Sequence, residues 1–167
     1  MMKTKNIKDK EAVVKLAEMV KGMKTAMLLT RLGVVPVYAN PMTTKRVSDD
    51  GTLWFLSSLN SDHNLNIQSD NRVQLLYSNP DDNQYLSIYG KAFIRDHQNI
   101  LKDLYTKEDD VWFEGVSDVN LTAIEVTPQE AYYWDKKKNK FISMLEGILP
   151  RNEDNDGITK GKMEINE

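Results

Sequence analysis

The chain has 167 residues, 40% apolar and 28% charged, and its 22 basic and 25 acidic side chains give a net charge of −3. This length and composition are those of one globular domain, which excludes wholesale disorder and collagen-like repeats. The absence of cysteine excludes disulfide scaffolds, thiolate zinc sites and thiol catalysis, whereas a carboxylate-bound metal stays open.

The first predicted element is an amphipathic helix over residues 9–22. Its apolar residues Val13, Leu16 and Val20 recur at helical spacing, with charged residues between them. Gly22 suits a C-terminal cap, because glycine accepts the positive φ that ends many helices. Short helices are also predicted over residues 62–69 and 98–105.

Most of the remaining chain consists of short apolar or alternating segments between turn signals, which predicts strands. The apolar run at 25–30 is typical of a strand covered on both faces. Gly51 follows two Asp residues and predicts a hairpin, while Gly90 predicts a bulge or a close backbone approach. The predicted strands are 25–30, 34–38, 41–47, 52–58, 73–78, 85–95, 121–127 and 130–134.

These elements predict a mainly β fold, a barrel of six or more short strands with an N-terminal amphipathic helix. Periodicity does not distinguish it from another eight-stranded barrel, such as a lipocalin-like one. Residues 151–167 are polar and have no aromatic side chain. We therefore expect a single domain over residues 1–150 and a mobile tail after it.

The expected partners follow from charge and hydropathy. No apolar run approaches the ~20 residues that span a bilayer, and the N-terminus lacks a secretory apolar segment, which predicts a soluble, cytoplasmic protein that does not bind membranes. The scattered arginines and mild acidity argue against nucleic acid. The basic run at 136–140 is typical of a solvated turn.

The segment with the most chemical content follows the strand 52–58. That strand ends in hydroxyls and leads to Ser61, Asp62 and His63 at the start of a short helix. Hydroxyls, free backbone N–H groups and a protonatable histidine at a helix N-terminus make an anion site. A plainer interpretation is that Ser61 or Asp62 caps the helix and His63 lies on the surface.

Two further features have alternative interpretations. Trp54, Trp112 and Trp134 are typical of cores and interfaces, although a flat cofactor ring also stacks on such side chains. Gln84 precedes a strand, where it is either solvent-exposed or available to hydrogen-bond a heterocycle.

In order and spacing, five segments resemble the pyridoxamine 5′-phosphate oxidase-like family, and within it the general stress protein branch. That branch is built on an FMN-binding split β-barrel of six to eight antiparallel strands. The segments are Asn40-Pro41-Met42-Thr43, the strand 51–57, Ser61-Asp62-His63, the strand 84–92, and residues 127–135 with Trp134.

The resemblance implies a homodimer with two FMN molecules at the subunit interface. It also implies roles for individual residues: Asn40, Pro41, Met42 and Thr43 along the isoalloxazine, Lys45 near the flavin, Phe55, Leu56 and Ser57 along the ring and ribityl chain, Ser61 and His63 on the phosphate, and Gln84 and Trp134 supplied by the partner subunit.

The departures from the family pattern bear on activity. The family commonly has Arg where this chain has Asn40, and Ser-Arg-Lys where it has Ser61-Asp62-His63. The Arg and His with which the oxidases hold substrate phosphate have no counterpart after Trp134 except Arg151. The resemblance therefore implies an FMN-dependent oxidoreductase for an unknown small molecule, inefficient with pyridoxamine phosphate.

Two alternatives stay open. One is a non-catalytic stress protein that sequesters or senses flavin. The other is a relative that has lost flavin and binds another group, such as haem through His63 or His97.

Overall fold

Ten strands of the described chain join into a single sheet that is not closed. The computed structural model describes residues 2–136 and 158–165. Its strands are β1 Lys3–Thr4, β2 Ile7–Lys8, β3 Thr25–Thr30, β4 Tyr38–Thr43, β5 Arg46–Val47, β6 Leu53–Ser58, β7 Arg72–Asn79, β8 Gln84–Arg95, β9 Leu121–Asp135 and β10 Thr159–Glu164. Its helices are α1 Asp9–Met23, α2 Asp62–Ser69, α3 Gln98–Leu104 and a 3₁₀ helix, Lys107–Val111. The prediction of a mainly β fold is confirmed.

Strand β9 organises the sheet, because it is long enough to have different neighbours at its two ends. Strand β8 pairs with nearly all of it, whereas β6 pairs with its first half and β10 with its second half. Beyond β8 the order continues through β7 and β3 to β4. Strands β3 to β10 pair antiparallel, as predicted, and the two-residue strands β1 and β2 add parallel pairs to β10.

The irregularity at Gly90 lets β8 and β9 stay paired along their length. Their register shifts between Tyr89 and Gly90, where Gly90 stands opposite Pro128. A Cβ on Gly90 would lie 2.3 Å from the carbonyl oxygen of Thr127, so the predicted close backbone approach is confirmed. The prediction of two separate strands, 121–127 and 130–134, is wrong, because the bulge accommodates Pro128 within one strand.

The main core lies between the inner face of the sheet and helix α1. That helix buries Leu16 and Met19 against inward residues of the strands, such as Leu28 and Ile88. A second, smaller cluster lies under α3 and contains Trp54, Leu101, Leu104, Leu121 and Ala123.

Three predictions near the N-terminus are wrong in detail. Helix α1 continues past Gly22 and is closed by Lys24, which has the positive φ of 59°. Strand β3 is covered on one face only, since Met27 is 40% exposed. The return strand begins at Tyr38, because residues 34–37 form an exposed loop.

The expectation of a tail without packed structure does not hold for strand β10. It pairs with the second half of β9, and its Met163 is completely buried in the main core. Backbone pairing and one buried apolar side chain are enough to place a strand whose other residues are mostly polar. Apart from Lys136, which is exposed, the basic run 136–140 lies outside the described residues, as does Arg151.

Candidate functional site

The end of β6 and the first turn of α2 share a buried hydrogen-bond cluster. The Thr122 hydroxyl donates to the Ser57 carbonyl oxygen at 3.0 Å and lies 2.8 Å from the Ser57 hydroxyl. Asn64 Nδ2 donates to Thr122 Oγ1 at 2.9 Å. All three residues are buried, so this network fixes the start of α2 relative to the sheet, and the Ser57 hydroxyl already has a partner in it.

The plainer interpretation of this turn, a helix cap with His63 on the surface, is confirmed for Ser61 and wrong for His63. Ser61 caps α2, since its Oγ accepts a hydrogen bond from the Asn64 backbone N–H at 3.3 Å. His63 does not lie on the surface, however, because only 8% of it is exposed. Within the described residues, neither His63 Nε2 nor Asn64 Oδ1 has a hydrogen-bond partner, although both atoms are buried. An unpaired buried polar atom costs about 1–3 kcal/mol, so a polar ligand at this turn would gain by pairing with them.

The first turn of α2 offers an anion only a weak positive charge. Burial lowers the pKa of His63 below its ordinary value of 6.5, and the neighbouring Asp62 carboxylate opposes this shift only in part. The imidazole is therefore neutral near pH 7. The positive contribution then comes from the free N–H groups and the dipole at the N-terminus of α2.

Strand β4 lies beside this turn. Tyr38, at the start of β4, donates a hydrogen bond to the Asp62 carboxylate at 3.4 Å. Along β4, Met42 is buried and Asn40 is half-buried with its Nδ2 3.4 Å from Met42 Sδ, whereas Pro41 and Thr43 are exposed. One chain therefore brings the predicted ring-binding strand next to the predicted phosphate turn.

Lys45 has a carboxylate partner that the sequence patterns did not reveal. Its ammonium lies 2.7 Å from Asp109 Oδ2 and donates to the Thr106 hydroxyl at 3.1 Å. Burial raises the pKa of Asp109, but hydrogen bonds from Lys45 and Thr106 outweigh burial, so the pKa lies below 3.8. Lys45 thus anchors the segment of the 3₁₀ helix, and its charge is already compensated.

The other predicted residues fall into two places. Phe55 is fully buried in the main core and Leu56 packs against the smaller cluster. Gln84 and Trp134 lie on the adjacent strands β8 and β9, at the end of the sheet opposite the Ser57 cluster. Strand β9 has 15 residues, which at ~3.3 Å per residue separates its ends by up to about 45 Å. Within one chain these two groups therefore lie at opposite ends of β9.

The outward side of the sheet carries a row of five uncharged residues, here called the outer face. Adjacent members stand directly opposite one another in neighbouring strands, in the order Pro41, Met27, Leu76, Ser87 and Tyr132. Met27, Leu76 and Tyr132 are each 40–45% exposed. Contiguous exposed apolar side chains of this kind are typical of interaction surfaces.

Asn64, Thr122 and Asp109 are polar residues at or beside the site that sequence reasoning did not select. Asn64 offered one signal, because it lies in the first turn of a capped helix. The others are brought near the site by strand pairing and loop packing, which no local pattern reports.

Comparison with known proteins gives one family match and several similar structures. The family model described as "Pyridoxamine 5′-phosphate oxidase like" matches residues 11–153. No curated protein matches. Within the described residues, no helix has the length and apolarity that crossing a membrane requires.

Three solved structures illustrate the similarity. General Stress Protein 26 of Bacillus anthracis is 21% identical, with 74% of this chain and 92% of that chain covered and a TM-score of 0.63. A protein of Clostridium acetobutylicum related to general stress protein 26 is 18% identical, with 78% and 93% covered and a TM-score of 0.64. The general stress FMN/FAD binding protein of Xanthomonas citri is 25% identical, with 78% and 92% covered and a TM-score of 0.66. The predicted split-barrel fold is confirmed.

Proposed function

Because the chain belongs to the pyridoxamine 5′-phosphate oxidase like family, we propose that it is a flavin-binding protein that uses FMN as a homodimer. The observation that carries the proposal is the first turn of α2, where His63 Nε2 and Asn64 Oδ1 are buried without partners among the described residues, beside the Ser61 cap. The similar protein of Xanthomonas citri is itself an FMN/FAD binding protein, which supports a flavin as the ligand.

The residues present fit the polar parts of FMN. The N-terminus of α2, Ser61 and His63 would hold the phosphate, because helix N–H groups and a protonatable imidazole favour an anion. Asn64 Oδ1 is an acceptor and would pair with a ligand hydroxyl. Strand β4 from Asn40 to Thr43 would lie along the ring. When bound, the isoalloxazine supplies hydride-type redox chemistry, and the chain binds, orients and shields it.

Two observations support the proposed homodimer. Gln84 on β8 and Trp134 on β9 lie at the end of the sheet opposite the Ser57 cluster of their own chain. The outer face exposes apolar residues on the same sheet. A second copy docked on the outer face would cover these side chains and bring its own Gln84 and Trp134 to the site.

We further propose that the protein is an FMN-dependent oxidoreductase for a small molecule and turns over pyridoxamine phosphate poorly. Residues 158–165, the only part described after Lys136, contain no arginine and no histidine to grip a substrate phosphate. Lys162 in this part is paired with Glu130.

The proposal is tested by titrating the purified protein with FMN, riboflavin and FAD and following flavin fluorescence. We expect FMN to bind, and Ser61→Ala to weaken FMN binding about tenfold to a hundredfold through loss of one charged hydrogen bond and of the cap. Ser58→Ala is the matched control, because Ser58 is exposed at the end of β6. If none of the three flavins binds, the proposal fails. Anaerobic reduction of the bound flavin by NADPH, followed by reoxidation with candidate acceptors, would separate an enzyme from a protein that only sequesters flavin.

We expect the preference for FMN over riboflavin to increase as the pH falls. In the free protein His63 is neutral above its lowered pKa, and a bound phosphate raises that pKa, so FMN binding takes up a proton. The ratio of the riboflavin Kd to the FMN Kd should rise about threefold to tenfold from about pH 7.5 to about pH 5.5. His63→Gln should abolish this rise, and it also controls for titration of the phosphate itself. A rise that persists in the variant would show that His63 is not responsible.

A further inference from the structure

The start of β8 and the end of β9 are tied to α1 by a buried polar chain of three residues. Gln84 Nε2 donates to Asp135 Oδ1 at 2.9 Å, and the other oxygen of Asp135 is paired with the ammonium of Lys15. Gln84 is 6% exposed and Asp135 is 5% exposed. Lys15 also lies 5.7 Å from the centre of the Tyr133 ring, which helps to hold its charge in place.

We infer that Asp135 is a positioning residue that fixes the Gln84 carboxamide so that its carbonyl oxygen Oε1 is presented to a ligand N–H. This inference rests on the proposed function, in which Gln84 faces the flavin bound by the partner subunit.

The orientation of the amide follows from the chemistry of its partner. A carboxylate accepts hydrogen bonds and cannot donate them, so the end of Gln84 that faces Asp135 must be its NH₂ group. The choice between the two amide orientations, which is often ambiguous, is therefore settled here by Asp135. The Lys15 ammonium pairs with the other oxygen of Asp135 and so holds the carboxylate in place beside Gln84.

A fixed acceptor selects a particular edge of the ligand. Oxidised isoalloxazine has one ring N–H, at N3, while its other polar ring atoms are acceptors. A Gln84 whose Nε2 is held by Asp135 would therefore offer Oε1 to N3–H. If the amide were free to turn, it would pair equally well with the neighbouring carbonyl groups and would lose this selectivity.

The first experiment is a double-mutant cycle on flavin affinity, with the natural protein, Gln84→Met, Asp135→Asn and the double variant. The carboxamide introduced by Asp135→Asn both donates and accepts hydrogen bonds. The Gln84 amide could therefore pair with it in either orientation and would no longer be fixed. We expect Asp135→Asn to weaken FMN and riboflavin equally, by about threefold to tenfold, the value of one neutral hydrogen bond. In the Gln84→Met background the same change should have no effect on affinity.

Glu125→Gln is the matched control, because Glu125 also lies on β9 and is paired with a cation, Arg95, but does not contact Gln84. It should leave both affinities unchanged. Thermal unfolding of each variant separates a loss of fold from a loss of positioning.

The results distinguish a failure of the positioning role of Asp135 from a failure of flavin binding itself. If the natural protein binds no flavin, both fail. If it binds flavin and Asp135→Asn has no effect, or has the same effect with methionine in place of Gln84, only the positioning role is overturned.

A second probe, 3-methylriboflavin, keeps the inference testable even if Asp135→Asn does not fold. The natural protein should bind it more weakly than riboflavin, and Gln84→Met should lose most of that difference. Equal discrimination in both proteins would overturn the inference.

Discussion

If the proposed dimer forms through the outer face, replacing Leu76 by glutamate is expected to separate it into monomers and to weaken flavin binding by at least about a hundredfold. Leu76 stands at the centre of the outer face, between Met27 and Ser87. It is 42% exposed in the single chain, so the change should cost little folding stability. In the dimer the new carboxylate would be buried without a cation, which typically costs several kcal/mol. Sedimentation velocity reports the oligomeric state, and flavin fluorescence reports binding.

The control for this prediction is Val14→Glu, because Val14 is an exposed apolar residue on α1, away from the outer face. It should leave both assembly and binding unchanged. Two results would count against the proposal. If Leu76→Glu stays dimeric, the outer face is not the interface. If it is monomeric but binds flavin normally, one chain already holds a complete site.

Replacing Gly90 by alanine is expected to lower the free energy of unfolding by about 3 kcal/mol. The added methyl group would lie 2.3 Å from the Thr127 carbonyl oxygen and 3.0 Å from the Cα of Pro128. Both contacts are with backbone, so neither is relieved by a change of rotamer. Either the β8–β9 pairing separates at the bulge or the two strands shift along their length. Urea denaturation followed by circular dichroism measures the change.

Gly22→Ala is the comparison that isolates the steric cause. Gly22 lies inside α1, and apart from the neighbouring residues and backbone of the helix itself no atom would be within 4 Å of its added Cβ. Alanine has the higher helix propensity, so this variant should be more stable by up to about 1 kcal/mol. A cost below about 1 kcal/mol for Gly90→Ala would contradict the close approach seen at the bulge.

The elements that local chemistry determines could be predicted from the sequence. Helix α2 begins where Ser61 caps it, and both of its predicted ends agree with the structure. The hairpin at Gly51 and the bulge at Gly90 also follow from residues that adopt backbone conformations or close contacts few others tolerate. In the site, the place of Ser61 follows from the same capping rule.

What the sequence could not predict depends on contacts between distant segments. Strand β10 has little apolar periodicity, and its position is set by pairing with β9. The burial of His63 is a property of its surroundings and not of its own residue type. The partners of Lys45 and Gln84 are carboxylates 64 and 51 residues away along the chain, and no spacing rule connects them.

The placement of β10 also has a consequence for how the chain matures during synthesis. Strands β1 and β2 leave the ribosome first among the described strands, yet the neighbour they pair with, β10, is made last. Until then, the second half of β9 has an open backbone edge, and the core lacks Met163. Open edges of this kind promote pairing between nascent chains. That half of β9 includes Trp134, which is proposed to face the partner subunit, so in a newly made chain the edge beside Trp134 is covered by β10 only when β10 docks.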